Sequence, residues 1–390
     1  MSTVTPADWQ TGPAPRSAQD WIARAAEVAA LLDTDAAARD RAGATPHAEV
    51  RLLKDSGLVT LLGPTEHGGG GQDWPTAYRV VREVAKADGS IGQLLGYHYL
   101  WNWAARLVGT REQWEHVEAE AARNQWFFGG AVNPRDKDVT VTEDGDDRDD
   151  LVFTGRKSFS TGSKVSDVTV LEGVLERTEQ HVFAIVPSDS EGLTFLDDWD
   201  NIGQRLTESG GVILDGVRTP WSSAAGYVDK EFTPRTYNTL NVRTIQLVFV
   251  NVYLGIAAGA LETAATYTRT KARSVAEGQK LHDDPDAVTA KTRGDFEVRV
   301  AAVKARATDV ALEIGNRIFE VTGARSTATT EGLDRFWRNV RTRPPATRPP
   351  PLNEVLRAAP SVLHDPVAYQ RREVGRWVLE GELPEPTWYS

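Results

Sequence analysis

"TREQWEHVEAEAARNQWFFGGAV", residues 110–132, decides the fold, because the spacing of its apolar residues changes within it. Up to Asn124 the apolar residues recur every three or four positions, which is typical of an amphipathic helix. From Gln125 the chain instead forms short apolar runs separated by Gly, Asp and Ser, which is typical of strands. We predict strands in QWFFGGAV, VTVTED, LVFTGRKSF, VTVLEGVLE, HVFAIVP, LTFLDDW and GVILDGV.

Helical patterns lie on both sides of these strands. Before them stand SAQDWIARAAEVAALLDTDAAARDRAG, PTAYRVVREVAKADG and the more apolar SIGQLLGYHYLWNWAARLVG; after them come two long helical segments and a shorter terminal one. The order predicts an α+β, mostly α fold without βαβ units. We expect an N-terminal helical domain over 1–124, a central antiparallel β domain over 125–228 and a C-terminal helical bundle over 229–390. The acidic tract 143–150 fits a solvated hairpin tip.

Composition limits the partners. The 44 basic and 55 acidic residues give a net charge of −11, which disfavours nucleic acid and anionic membranes as obligatory partners. The chain contains no cysteine, which excludes disulfides, thiolate metal sites and a cysteine nucleophile. We found no signal peptide and no apolar stretch of about 18 residues, so we expect no membrane span and a cytoplasmic location.

Two motifs have plain structural interpretations. The run Gly68 to Gly71 is typical of phosphate-binding loops, but it lies between two helical stretches instead of following a strand. We therefore predict an interhelical turn and no nicotinamide site. The seven histidines have no metal-ligand spacing, so we also expect no metal.

Other residues permit two interpretations. His98 lies in the apolar helix beside Tyr97 and Tyr99, where a histidine is either a satisfied core residue or a catalyst. His364, in LHDP, is either a loop residue before a helix cap or a catalyst. Arginines such as Arg273 and Arg325 cluster near predicted helix ends, where they either bind phosphate or form surface ion pairs.

The domain order and several strings resemble the flavin-dependent monooxygenase branch of the acyl-CoA dehydrogenase superfamily. The strings occur in the family's order between about residues 40 and 380. They are DWPTAYRVVREVAKADGSIGQLLGYH, GRKSFSTGSKVSD, DDWDNIGQRLTESG, FVNVYLGIAAGALETAATYTRTKAR, FEVTGAR, LDRFWRNVRT and LHDPVAY.

The resemblance implies roles for individual residues. The family's active-site histidines match His98 and His364, and its phosphate-anchoring arginines match Arg273 and Arg325. Flavin-contacting positions match Phe159, Ser160 and Thr161. The residues implied to line the substrate pocket are Tyr97, Gly130, Val132 and Trp199.

The resemblance also implies the chemistry. We expect a two-component monooxygenase that takes reduced FMN from a separate flavin reductase and uses O2 through a C4a-hydroperoxyflavin. Its substrate would be the sulfur heteroatom of an aromatic heterocycle such as dibenzothiophene, and the enzyme would be a homotetramer. Acyl-CoA dehydrogenation and flavin-dependent N-hydroxylation are alternatives on the same fold.

Three features depart from the family. Gly130 and Val132 stand where the family has polar side chains, so substrate preference or flavin affinity is expected to differ. The bundle is one helix short, because only a short polar segment separates Arg273 from Arg293. A proline-rich insert occupies about 343–362, and a family histidine after RNVRT is absent. A catalytically impaired paralogue is therefore a further alternative.

Overall fold

A computed structural model describes residues 9, 12–133, 138–144, 150–201, 203–232 and 234–270, with 289, 313, 314, 316 and 317. The described residues up to Glu262 belong to one compact unit, and those from Thr263 belong to a second. Every contact discussed below lies in the first unit. The helices are α1 (Ala18–Asp33), α2 (Ala36–Ala42), α3 (His47–Asp55), α4 (Trp74–Ala87), α5 (Gly89–Val108), α6 (Arg111–Asn124) and α7 (Asn241–Thr270).

Side-chain caps start the N-terminal helices. Ser17 and Thr110 form capping boxes for α1 and α6, and Asp88 accepts from two backbone amides at the start of α5. The helical pattern from Ser17 to Gly43 forms two helices, because the chain leaves the helical conformation between Asp33 and Ala36. The apolar segment predicted as a buried helix is α5, whose side chains are buried along most of its length.

All seven predicted runs contain a strand, so the change of period at Gln125 is confirmed. The strands are β1 (Phe128–Ala131), β2 (Val139–Glu143), β3 (Asp150–Lys157), β4 (Val168–Leu175), β5 (His181–Pro187), β6 (Leu193–Phe195) and β7 (Val212–Pro220), followed by a small ribbon of β8 (Tyr227–Val228) and β9 (Glu231–Phe232). β2 and β3 form the predicted hairpin, but most of its acidic tip lies outside the described residues.

The sheet is mixed, whereas we predicted a wholly antiparallel one. β4 pairs antiparallel with β5 on one edge and parallel with both β1 and β2 on the other. The last residue pair between β1 and β4 is Ala131↔Leu171, and the first between β2 and β4 is Thr140↔Val174. Among the described residues, Glu172 and Gly173 of β4 therefore have no strand partner on this edge, and we call this position the β1–β2 gap.

α7 packs closely on α4. A Cβ atom added at Gly259 would lie 1.9 Å from Lys86 O, and Asn251 Oδ1 accepts two hydrogen bonds from Arg82. The opposite side of α7 exposes Leu247, Val250, Leu254 and Leu261. Thr236–Thr263 is long and apolar enough to cross a membrane by length and composition only, a test that core helices of soluble proteins also pass.

Several predictions concern residues that the structure does not describe. His364, Arg273, Arg325, the shortened part of the bundle and the insert at 343–362 all lie outside the described residues. The domain boundaries at 124 and 228 stay predictions.

Candidate functional site

The segment Phe159–Gly162 leaves β3 in a strained conformation. Phe159 has φ of 59°, which is uncommon for a bulky side chain. Two backbone bonds hold the segment: Ser160 N donates to Gly210 O and Gly162 N donates to Thr207 O, both at 3.0 Å. Strain that its surroundings enforce in this way is typical of ligand-binding segments.

Trp199 lies beside this segment. The rings of Phe159 and Trp199 meet edge to face with their centroids 6.2 Å apart, and Phe159 is 47% exposed. Trp199 Nε1 donates to Gln204 O at 2.9 Å, which fixes the indole. The two aromatic rings thus form a wall next to Ser160 and Thr161, as a flat aromatic ligand requires.

Hydroxyl groups line the other side of the segment. Thr161 Oγ1 lies 2.8 Å from Ser209 Oγ, which lies 2.8 Å from Thr207 Oγ1, and Thr207 Oγ1 donates to Gln204 O. Thr207 and Ser209 were not among the predicted site residues, although the resemblance included their string DDWDNIGQRLTESG. Their proximity depends on the loop before β7, and no spacing rule shows such a contact.

Two hydroxyl groups in this region have no partner. Ser160 Oγ and Ser163 Oγ are buried and form no hydrogen bond with any described residue. Buried polar atoms are nearly always paired, so an orphan beside an aromatic wall indicates a missing ligand group. A flavin offers ring nitrogens and carbonyl oxygens as acceptors, so these residues fit that cofactor.

β1 joins this segment to α5. Gly130 N donates to Thr161 O at 3.3 Å. On the other side of Gly130 lies the indole of Trp101: an added Cβ would be 2.3 Å from Trp101 Cε2. The Trp101 ring therefore fills the space beside Gly130 on that side. Trp101 Nε1 is also buried without a partner among the described residues.

Tyr97 and Val132 lie close to Trp101. Tyr97 is 4% exposed, its ring centroid is 5.9 Å from that of Trp101 and 5.7 Å from that of Phe249, and burial raises its pKa. Val132 is partly buried against the same cluster. Both predicted pocket residues thus belong to an apolar core between α5 and β1.

His98 is completely buried, and both of its ring nitrogens are hydrogen-bonded. Nε2 lies 2.7 Å from Val59 O, and Nδ1 accepts from Phe128 N at 3.0 Å. Because a carbonyl only accepts, the proton is assigned to Nε2. Burial lowers the pKa of His98 to about 4, and the ring stacks on Phe127 at 4.8 Å. Here His98 joins the 3₁₀ helix Leu58–Thr60 to β1.

The glycine run is the interhelical turn that we predicted. The amides of Gly68, Gly69, Gly70 and Gly71 all donate to backbone carbonyls within residues 60–65, so they are not free for a phosphate. The turn borders a cavity of about 400 Å³ with Trp21 and Arg24. Among the described residues no cluster of His, Asp or Glu could hold a metal ion.

Comparisons with known proteins agree with this architecture. Residues 19–125 match the family model for the acyl-CoA dehydrogenase N-terminal domain, and residues 286–344 match that for its C-terminal domain. In the sequence, the first match precedes the strands and the second follows them, and together they define the class as an acyl-CoA dehydrogenase fold.

Full-length relatives place the chain within that class. It is 36% identical to dibenzothiophene monooxygenase from Rhodococcus erythropolis over 438 residues, covering 100% of both proteins. Methanesulfinate monooxygenase MsuC from Pseudomonas fluorescens is 35% identical with a TM-score of 0.68, covering 95% of this chain and 99% of that one. FMN-bound TdsC from Paenibacillus sp. A11-2 is 32% identical with a TM-score of 0.67, covering 95% and 100%. The chain belongs to the flavin-dependent monooxygenase branch of the acyl-CoA dehydrogenase superfamily.

Proposed function

We propose that this chain is a two-component monooxygenase that uses reduced FMN and O2 to oxygenate the sulfur atom of an aromatic heterocycle such as dibenzothiophene. The observation that carries the proposal is the site beside Phe159 and Trp199, where the buried Ser160 hydroxyl has no partner among the described residues. Full-length relatives named as monooxygenases of this kind, one of them solved with FMN, support it.

The residues at this site have separate tasks. Phe159 and Trp199 would flank the flavin, Ser160 would donate a hydrogen bond to it, and the Thr161–Ser209–Thr207 hydroxyl series would hold the segment in place. When bound, reduced FMN supplies the activation of oxygen. Arg273 and Arg325 would hold its phosphate, as the resemblance implies.

The core around β1 would keep water away from the reaction. Tyr97, Trp101, Phe127 and Phe128 are all at most 4% exposed. Excluding water protects a reactive oxygen species and strengthens hydrogen bonds at the reacting atoms.

We propose a positioning role for His98, which fixes Val59 and Phe128 and through them the start of β1. A part for His98 in proton transfer would require one of these two bonds to break. The proton-handling group of the proposal is therefore His364.

The proposal includes partners and assembly. No nicotinamide-binding loop was found in the sequence, so a separate reductase would supply the reduced flavin. A cytoplasmic homotetramer is also part of the proposal, and the exposed apolar residues Leu247, Val250, Leu254 and Leu261 of α7 favour association. Light scattering on the purified chain measures the assembly.

The test supplies the full chain with reduced FMN, ¹⁸O₂ and dibenzothiophene, and follows sulfoxide and sulfone by mass spectrometry. Labelled product is the expected result. If the chain releases hydrogen peroxide and oxygenates neither dibenzothiophene nor methanesulfinate, the impaired paralogue is supported. Hydroxylamine products from amine substrates would support N-hydroxylation, and anaerobic bleaching of oxidised flavin by an acyl-CoA would support dehydrogenation.

A further inference from the structure

We infer that Lys157, held by Glu172, which is itself bound by His181, is a positioning residue that fixes the exit of β1 relative to the flavin-binding segment Phe159–Thr161. This inference rests on the proposed function and extends it to residues outside the site. We call these three residues the β-domain triad.

The triad consists of an ion pair and a histidine inside the β domain. Lys157 Nζ lies 2.9 Å from Glu172 Oε2, and both side chains are 0% exposed. Glu172 Oε1 lies 2.5 Å from His181 Nδ1, and the His181 side chain is 23% exposed. Desolvating two charges is costly, and a buried ion pair contributes little net stability compared with apolar side chains of the same volume. Net stability therefore does not explain why this ion pair is buried here.

The location of the triad provides that reason. Glu172 lies on β4 opposite the β1–β2 gap, where the part of the chain that the structure describes has no strand partner after Ala131. Lys157 Nζ donates to Asn133 O at 3.1 Å, and Asn133 lies two residues after the end of β1. The ammonium group thus binds the backbone at the point where β1 leaves the sheet.

Lys157 is also the last residue of β3, two residues before Phe159. One side chain therefore joins the start of the flavin-binding segment to Asn133, the neighbour of Val132. A second connection joins the same two segments, because Gly130 N donates to Thr161 O. With both connections present, the distance between β1 and the flavin-binding segment is set at two points.

The triad extends to the opposite side of β4. Glu172 pairs with Phe183 of β5 in the sheet, and His181 lies at the start of the same strand. Tyr227 Oη donates to His181 O at 3.2 Å. Lys157 is thus oriented by groups on two other strands, which limits its freedom to leave Asn133.

The experiment compares Lys157→Met with the double variant Lys157→Met and Glu172→Leu. The single variant leaves a buried carboxylate without its cation and is expected to be less stable. The double variant removes both charges, so stability should return to near the wild-type value. Because Asn133 O still lacks its donor, the FMN dissociation constant should stay at least fivefold above wild type. Arg177→Gln is the matched control, since it breaks an exposed ion pair of equal length, 2.9 Å, with Glu143 of β2.

Two further measurements make the outcome decisive. Hydrogen exchange should quicken at residues 131–133 and 158–161 in the double variant but not across the rest of the sheet. His181→Gln is a milder change, which should raise the FMN dissociation constant about twofold. It tests the inference even if the Lys157 variants do not fold. Wild-type FMN affinity and exchange in every folded variant would overturn the inference. If the wild type binds FMN but yields no oxygenated product, the proposed substrate is wrong. The FMN dissociation constants of the variants still test the role of the triad.

Discussion

The indole of Trp101 covers the α-carbon of Gly130, so that a methyl group added to Gly130 would lie 2.3 Å from Trp101 Cε2. A side chain at this position would overlap the indole, so the packing of Trp101 requires a glycine here. The volume of that side chain is already occupied by a ring from α5. The two positions are therefore coupled, and a change at either should depend on the other.

Gly130→Ala should lower the free energy of unfolding by about 1–3 kcal/mol, because the methyl group overpacks against Trp101. In a Trp101→Val background the same change should cost much less. A double-mutant cycle by denaturant unfolding measures the coupling. Gly203→Ala is the control, since an added Cβ there meets no atom within 4 Å. Equal costs in both backgrounds would contradict the relationship.

His98 should make the protein sensitive to acid. Burial lowers its pKa to about 4, from 6.5 in the unfolded chain, so the unfolded state binds more protons between these values. Stability contributed by the neutral ring is fully present above pH 6.5 and decreases as the pH falls toward 4, by up to about 3 kcal/mol. Chemical unfolding at several pH values measures this slope.

His98→Gln should flatten that slope, because a glutamine amide can bond to both carbonyl and amide groups without titrating. His47→Gln, at an exposed histidine, is the control and should leave the slope unchanged. An unchanged slope in His98→Gln would show that other groups cause the acid sensitivity.

Ser160→Ala separates cofactor binding from stability. The hydroxyl has no partner among the described residues, so its removal should change the unfolding free energy of the FMN-free protein by less than about 0.5 kcal/mol. The FMN dissociation constant, measured by fluorescence titration, should rise about tenfold, as for the loss of one hydrogen bond. Thr161→Val should affect both quantities, because it also removes the contact with Ser209. Unchanged FMN affinity in Ser160→Ala would remove Ser160 from the site.

Gly259→Ala should separate α7 from α4. The added methyl group would lie 1.9 Å from Lys86 O, and a backbone atom cannot move aside cheaply. We expect a loss of about 1–3 kcal/mol in thermal or chemical unfolding. Ala257→Gly on the exposed side of α7 should cost about 1 kcal/mol through helix propensity alone. Wild-type stability in Gly259→Ala would show that the two helices are farther apart.

The sequence was sufficient for features that depend on near neighbours. The change of period at Gln125 located every strand of the main sheet, and the interhelical turn at Gly68 to Gly71 followed from its helical flanks. The resemblance implied a flavin role for Phe159, Ser160 and Thr161 and a pocket role for Trp199. The rings of Phe159 and Trp199 lie 6.2 Å apart, and the roles themselves stay predictions. The pattern did not locate the break between α1 and α2, because alanine-rich sequence lies on both sides of it.

Contacts between distant segments required the tertiary structure. No short-range pattern relates the residues that meet in three such contacts. They are the parallel pairing of β1 and β2 with one edge of β4, the contact of Trp101 with Gly130, and the burial of Lys157 against Glu172. His98 illustrates the difference. Its helix and its apolar neighbours were evident from the sequence, whereas the bonds to Val59 and Phe128 that define its protonation were not.

The sequence by itself thus determined the order of helices and strands and the family, because periodicity, caps and local strings are properties of adjacent residues. Only the tertiary structure decided which side chain fills the space at Gly130, which nitrogen of His98 carries the proton and what Lys157 binds. The physical reason is that burial and hydrogen-bond partners depend on distances across the folded chain, which packing sets and sequence separation does not.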